Sequence, residues 1–301
     1  MRYHVLHLTE YEYEGTATLS QQLLHMTPRD FNYQHCLSQH IRISPSPSES
    51  ADHTDYFGNH VHYFAIFTPH KVLQVTTDFS VELSLRPTMQ SLQYCMPWKA
   101  VRDTLAQHGS QHLDATAFLY ASPKVPCTDE LENYALQSFT PGKPILLAAM
   151  ELTQRIYNEF EFDADATEVS TPLSEVLQGR RGVCQDFAHL MIACLRSLGL
   201  ACRYVSGYIL TASREGHDKL IGADASHAWV SVYCPTYGWI DFDPTNNCLV
   251  QDEHVTVAWG RDFSDISPMH GVVLGGGAQT LNVSVTVTPI QTSELALQLT
   301  F

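Results

Sequence analysis

Cys184 stands in the run Arg180-Arg181-Gly182-Val183-Cys184-Gln185-Asp186-Phe187-Ala188-His189, directly ahead of a strong helical pattern. A helix N-terminus carries free N–H groups and a partial positive charge, and both favour a thiolate over a thiol. Further along come Ser226-His227-Ala228-Trp229 and then Gly238-Trp239-Ile240-Asp241-Phe242-Asp243-Pro244-Thr245. Cysteine, histidine and aspartate in that order can serve as nucleophile, base and orienting acid. An ordinary cysteine has a pKa of about 8.5, so little of it is thiolate at neutral pH. A histidine within hydrogen-bond reach can take the proton, and an aspartate on the far ring nitrogen fixes the tautomer and stabilises the cation.

Three such side chains need a rigid frame. Phe187, Leu190, Met191, Cys194, Leu195 and Leu198 form one apolar stripe at helical spacing, and Gly199 supplies the stop. Residues 201–210, 227–234 and 239–243 read as strands, the last two joined around Pro235-Thr236-Tyr237-Gly238. His227 then shares a strand face with Trp229 and Ser231, while Asp241 and Asp243 both share a face with Trp239. Pairing His227 opposite Asp243 leaves residues 233–237 as a five-residue hairpin loop. Pairing with Asp241 stays equally open, because register decides.

Upstream, residues 145–156 make an amphipathic helix with Pro144 near its start, and residues 158–165 read as a short extended segment. Ser170-Thr171-Pro172-Leu173 is a helix entry, with Thr171 as N-cap and Pro172 in the first turn. The first ninety or so residues are mainly β: residues 59–67 and 71–85 are rich in branched and aromatic side chains, and residues 44–50 break them as a loop. Residues 280–288 and 295–301 read as late strands. The expected fold class is α+β. A β-sandwich-like domain over residues 1–95 precedes residues 96–301, where a helical segment leads into a nucleophile helix packed on an antiparallel sheet.

Thirty-two acidic residues against 17 basic ones give a net charge of −15. Such a surface repels phosphate backbones and anionic lipid, which argues against nucleic-acid and membrane partners. No run of about eighteen apolar residues is present, and the first ten residues contain no continuous apolar stretch of the signal-peptide kind. A cytoplasmic protein with free thiols is the expectation. The cysteines at 36, 95, 127, 184, 194, 202, 234 and 248 contain no C-x-x-C pair, so a zinc ribbon or redox motif is not expected. His60 and His62 share a strand face without an evident third ligand, and no D-x-D-x-D-G calcium loop occurs. No metal or cofactor is expected. Asp186 reads as a cap or dipole complement, His189 as a packing residue, Arg261 and Asp262 as an ion pair, and Gly275-Gly276-Gly277 as a turn.

The segments around Cys184, His227 and residues 239–246 together resemble the transglutaminase-like core of the papain-like fold. The closest likeness is to its bacterial branch, whose members add an N-terminal β domain. Asp165-Ala166-Thr167-Glu168-Val169-Ser170-Thr171-Pro172-Leu173 and Trp259-Gly260-Arg261-Asp262-Phe263 are similar to the same branch. By position, the resemblance implies Cys184 as nucleophile, His227 as base and Asp243, rather than Asp241, as orienting acid. It implies acyl transfer through a Cys184 thioester, foremost hydrolysis of peptide or amide bonds in a peptide or protein substrate, without a cofactor. The N–H of Cys184 would receive the oxyanion, with Tyr157 and Asn158 as candidates for a second donor. A protein-crosslinking transglutaminase is the alternative within the fold. An inactive peptide-binding or assembly module is the alternative outside catalysis, and self-association is left open.

Overall fold

The computed structural model describes residues 1–107, 112–210 and 226–290. Its N-terminal strands are β1 (Arg2–Leu24), β2 (Gln34–Ser44), β3 (Glu49–Thr54), β4 (His60–Ile66) and β5 (His70–Leu83). In β5 the side chains of Leu73, Val75, Thr77, Phe79, Val81 and Leu83 are buried and the residues between them are more open, the period of a half-buried strand. β1 pairs with β5 over Arg2–Glu12 and with β4 over Ser20–Leu24, and its register breaks between Glu12 and Ala17. Around that break the sheet closes over a small core of its own, in which Tyr13, Leu24, Phe64, Ile66, Leu73 and Val75 meet. This is the sandwich-like module read from the sequence.

Helices follow: α1 (Met89–Leu92), α2 (Trp98–Ala106), α3 (Leu113–Thr116), α4 (Asp129–Leu136) and α5 (Ile145–Glu159). Then come β6 (Glu161–Phe162), α6 (Leu173–Gly179), β7 (Arg181–Gly182) and α7 (Cys184–Ser197). Pro172 occupies the N-cap position of α6, and the Thr171 hydroxyl instead accepts the Glu168 N–H at 2.9 Å, one residue off the expected entry. α7 is buried continuously from Asp186 to Arg196, so the apolar stripe is the inner part of a helix enclosed on all sides. Gly199, at φ 75°, ends it.

β8 (Cys202–Ile209), β9 (His227–Cys234), β10 (Gly238–Asp243), β11 (Cys248–Leu249) and β12 (His254–Gly260) form an antiparallel sheet in the order β11-β10-β9-β8-β12. Val230, Val232, Ile240 and Phe242 turn one face toward the helices. The β9–β10 register sets Asp241 opposite Ser231 and Gly238 opposite Cys234, leaving a three-residue loop, Pro235-Thr236-Tyr237. His227 therefore does not lie directly across from Asp243, and the five-residue loop is corrected to three. Gly238 at φ 74° closes this tighter loop, in the region that favours glycine.

α8 (Phe263–Ile266) leads to β13 (Met269–Gly275) and β14 (Gln279–Pro289). The late strands, grouped with the catalytic core in the sequence reading, return to the N-terminal sheet. β13 pairs with Ala17–Leu24 of β1 and β14 with Tyr3–Tyr13. The turn at Gly275-Gly276-Gly277, all at positive φ, faces the irregular stretch of β1. Residues 295–301 lie outside the described residues. The free edge of β12 is covered by two side-chain amides of the N-terminal domain. Gln34 donates to the Thr256 carbonyl at 2.6 Å and accepts its N–H at 2.8 Å. Asn59 donates to the Trp259 carbonyl and accepts its N–H, both at 2.9 Å. Each amide imitates a strand residue on an edge that would otherwise expose unpaired backbone.

Candidate active site

Cys184 is the first residue of α7, following an extended Val183 at φ −111° and ψ 178°. Asp186, in the first turn, accepts the Val183 N–H at 2.9 Å and the Thr167 hydroxyl at 2.6 Å. It is thus a cap, as expected, and it also ties the segment carrying Thr167 to the helix start. The Cys184 side chain is only partly buried, unlike those of Cys194, Cys202 and Cys234, and all eight cysteines are free thiols.

His227 opens β9 and is 1% exposed. Its Nε2 lies 2.8 Å from Oδ2 of Asp243, the last residue of β10. The other ring nitrogen, Nδ1, is buried without an aligned hydrogen bond at rest. Cys184 nonetheless favours the protonated ring. Burial by itself would lower the His227 pKa. The charges of Asp243 and then Cys184, with the hydrogen bond to Asp243, override it and raise the ring to about 10.

Asp243 is fully buried and holds five hydrogen bonds. Its Oδ2 accepts from His227, from Nε2 of His254 at 3.1 Å and from Nδ2 of Asn246 at 2.7 Å. Its Oδ1 accepts the N–H groups of Thr245 at 2.9 Å and Asn246 at 3.2 Å. Burial pushes its carboxyl pKa up, but His227 and His254 outweigh that and hold it well below the carboxylate range. Burial lowers His254, partly opposed by Asp243. Asp241, the other acid left open by parity, takes a different place: its Oδ2 accepts Arg86 Nη1 at 2.7 Å and Trp229 Nε1 at 3.3 Å. Trp229, fully buried, packs against both His227 and His254.

His254 and Asn246 both bond Asp243, contacts that sequence reasoning did not assign. Asn246 closes a turn two residues after Pro244, so a hydrogen-bonding role was within reach of the motif. His254 starts β12, which two strands separate from β10 in the sheet, yet its Nε2 reaches Asp243 at 3.1 Å. The ligand atoms of His227, Asp243 and His254 lie within 4.8 Å of one another, a spacing that a metal ion could bridge. In this structure those atoms bond one another, and a metal would have to displace both imidazole–carboxylate bonds.

Other expected residues fall as follows. His189 is buried, with Nε2 accepting the Phe263 N–H at 3.2 Å, and burial lowers it to about 4. Arg261 and Asp262 do not pair. Arg261 binds Asp265, while Asp262 caps α8 through the Ser264 N–H and accepts the Lys124 N–H. The side chain of Asp262 is thereby committed to Ser264, through its N–H and hydroxyl, and to the Lys124 N–H, which leaves Arg261 to the neighbour one helical turn on. His62 binds Asp52 at 2.7 Å, and Tyr157 and Asn158 are exposed on the last turn of α5.

Comparison with known proteins gives this geometry a family. Residues 3–82 match the bacterial transglutaminase-like N-terminal region and residues 133–244 the transglutaminase-like superfamily. An uncharacterized protein of Mycobacterium tuberculosis is 38% identical over 297 residues, covering 96% of this chain and 93% of its own length. A Cytophaga hutchinsonii structure assigned provisionally as a cysteine protease superposes with a TM-score of 0.76. It is 22% identical, and the match spans 97% of this chain and 91% of that one. A short stretch of 67 residues, 22% of this chain, is 36% identical to 10% of a protein-glutamine gamma-glutamyltransferase from Pseudomonas aeruginosa. With both modules matched in order and a relative alike along nearly its whole length, the chain belongs to the bacterial transglutaminase-like family, with the papain-like α+β core.

Proposed function

We propose that the protein is a cysteine-dependent acyl-transfer enzyme that hydrolyses peptide or amide bonds, with Cys184 as nucleophile, His227 as base and Asp243 as orienting acid. The observation that carries this reading is a fully buried His227 held by Asp243 at 2.8 Å, its second ring nitrogen left without a partner among the described residues, with a partly buried Cys184 at the start of α7. An imidazolium anchored by a carboxylate is the natural counter-ion for a thiolate.

The sulfur attacks the amide carbonyl carbon, and its proton goes to His227. The oxyanion forms beside the N–H groups at the first turn of α7, where the helix dipole also favours negative charge. His227 returns the proton to the nitrogen as the C–N bond breaks, the amine leaves, and a Cys184 thioester remains. Water then adds to the thioester carbon with His227 taking its proton, the C–S bond breaks, and the carboxylic acid leaves the Cys184 thiolate beside the protonated His227. Asp243 stays ionised throughout and keeps the ring in one orientation.

An activated ester or amide should give burst release in the wild type. Cys184→Ala should melt at the wild-type temperature with no burst; a burst surviving in that variant would falsify the reading. A second reading, protein crosslinking, draws support from the short stretch shared with the gamma-glutamyltransferase. It differs only in the second acceptor. Added primary amine should leave the product mainly as free acid if water is the acceptor, and mainly as a new amide if crosslinking is the reaction.

A further inference from the structure

On the sheet face that carries His227 and Asp243, but beyond Trp229, a cavity of about 710 Å³ opens between the catalytic sheet and the N-terminal domain. Neither Cys184 nor His227 lines it. Its walls are aromatic: Phe31, Tyr33, Phe57, Phe118, Trp239 and Trp259. Two arginines enter among them. Arg203 is 8% exposed and lies between two indoles, its Cζ 3.6 Å from the Trp259 ring centroid and 4.3 Å from that of Trp239. Its Nε has no hydrogen-bond partner, and among the described residues its guanidinium forms no ion pair within 4 Å. Arg86, whose side chain is 7% exposed, gives Nη1 to Asp241 and leaves Nη2 without a partner.

Inside the cavity two positive charges face one carboxylate, since Asp114 stands exposed at the rim. Burial lowers Arg203 to about 9, which still leaves it charged at neutral pH. Buried guanidinium groups are ordinarily paired, and one left short of acceptors beside an open cavity is a place for an anion. Stacked indoles hold the guanidinium plane in one orientation, and that plane suits a two-oxygen acceptor.

We propose that this cavity binds an organic carboxylate with a flat apolar body, the carboxylate received by Arg203 and Arg86 and the body by the ring walls. A single excess positive charge in aromatic surroundings fits a carboxylate better than a phosphate dianion, which would keep an unbalanced charge out of water. The carboxylate could belong to a free aromatic acid or to the end of a peptide chain.

The test uses the full-length Cys184→Ala protein, so that no probe is turned over. N-acetylphenylalanine is titrated against its neutral amide, with the indole N–H signals of Trp239 and Trp259 read by NMR and that of Trp98 as a distant control. The acid is expected to shift the two cavity indoles saturably and leave Trp98 unmoved, while the amide binds at least about tenfold more weakly for want of the charged contact. Phenylacetate and the tripeptide Ala-Ala-Phe separate the two sources of carboxylate. Arg203→Gln and, if that variant does not fold, Arg86→Gln should each weaken acid binding about tenfold without affecting the amide. Equal binding of acid and amide, or shifts that spare Trp239 and Trp259, would overturn the proposal. Because Cys184 is absent from the test, this outcome is independent of the proposed catalysis.

Discussion

At the scale of single residues, the site is organised around Asp243 more than around either of its partners. A carboxylate with five donors cannot rotate, and its two imidazoles compete for the same oxygen. His254 holds Asp243, and Asp243 holds His227, so in the proposed reaction His254 would act as a positioning residue. With His254→Ala, kcat should fall about tenfold or more, the worth of a hydrogen bond to a charged group. KM should stay near its wild-type value. His254→Gln, whose amide N–H₂ can reach the same oxygen, should recover part of that loss. Steady-state kinetics on an amide substrate checks both variants. If kcat is unchanged in the alanine variant, the second imidazole does not help to position the triad.

At the scale of elements, β8 and β12 fix where the first residue of β9, His227, lies. Gly207 of β8 pairs with His227 of β9, and a Cβ there would stand 2.0 Å from the Val255 carbonyl oxygen and 2.6 Å from Cη2 of Trp229. The first obstacle is backbone of β12, which cannot swing aside, and the second is the indole that packs on the His227 ring. Gly207→Ala should therefore destabilise the protein by about 1–3 kcal/mol, the usual cost of overpacking, and lower activity in the surviving folded fraction. Thermal melting together with activity normalised to folded protein measures the two effects. A melting temperature equal to wild type would show that β12 yields. The α7 stripe, the three strands 202–209, 227–234 and 238–243, and the helix over 145–159 were all legible in the sequence, since each is long and periodic. The β9–β10 register was not. Parity holds under a two-residue slip, so alternation cannot tell the three-residue loop from the five-residue one.

At the scale of the whole molecule, the N-terminal sheet and the catalytic sheet are held together through buried polar groups as well as apolar ones. His7 of β1 is 1% exposed, with Nδ1 2.6 Å from the Tyr208 hydroxyl of β8 and Nε2 2.9 Å from that of Thr9. Burial lowers its pKa from the ordinary 6.5 to about 4. Between those values the unfolded chain binds a proton that the folded one refuses, so stability rises with pH through this window and is lost as the solution is acidified from 6.5 to 4. The full effect is on the order of 3 kcal/mol for this one ring. Urea melts at pH 7 and pH 4 should show that loss in wild type and a smaller one in His7→Gln, which keeps a hydrogen-bonding side chain without the titration. Equal losses in the two proteins would place the acid sensitivity elsewhere.

Much about the protein was settled by local chemistry. Glycine and valine before a cysteine, followed by a helical stripe, mark a sulfur at a helix start. Short alternating runs mark the strands that bear a histidine and two aspartates. These signals are readable because they depend on neighbours within a few residues. Choosing between the two acids required the resemblance in the sequence and then the fold, which gives Asp243 to His227 and commits Asp241 to Arg86 and Trp229. The same dependence on distant pairing explains the late strands. β13 and β14 follow the catalytic core in the chain, yet their backbone hydrogen bonds are made with β1, more than 240 residues away. It also explains the amides of Gln34 and Asn59 on the edge of β12, and the reach of His254 to Asp243 across the two strands between them. Local propensity cannot specify such partners. They follow only when the folded chain must satisfy every buried donor and acceptor at once.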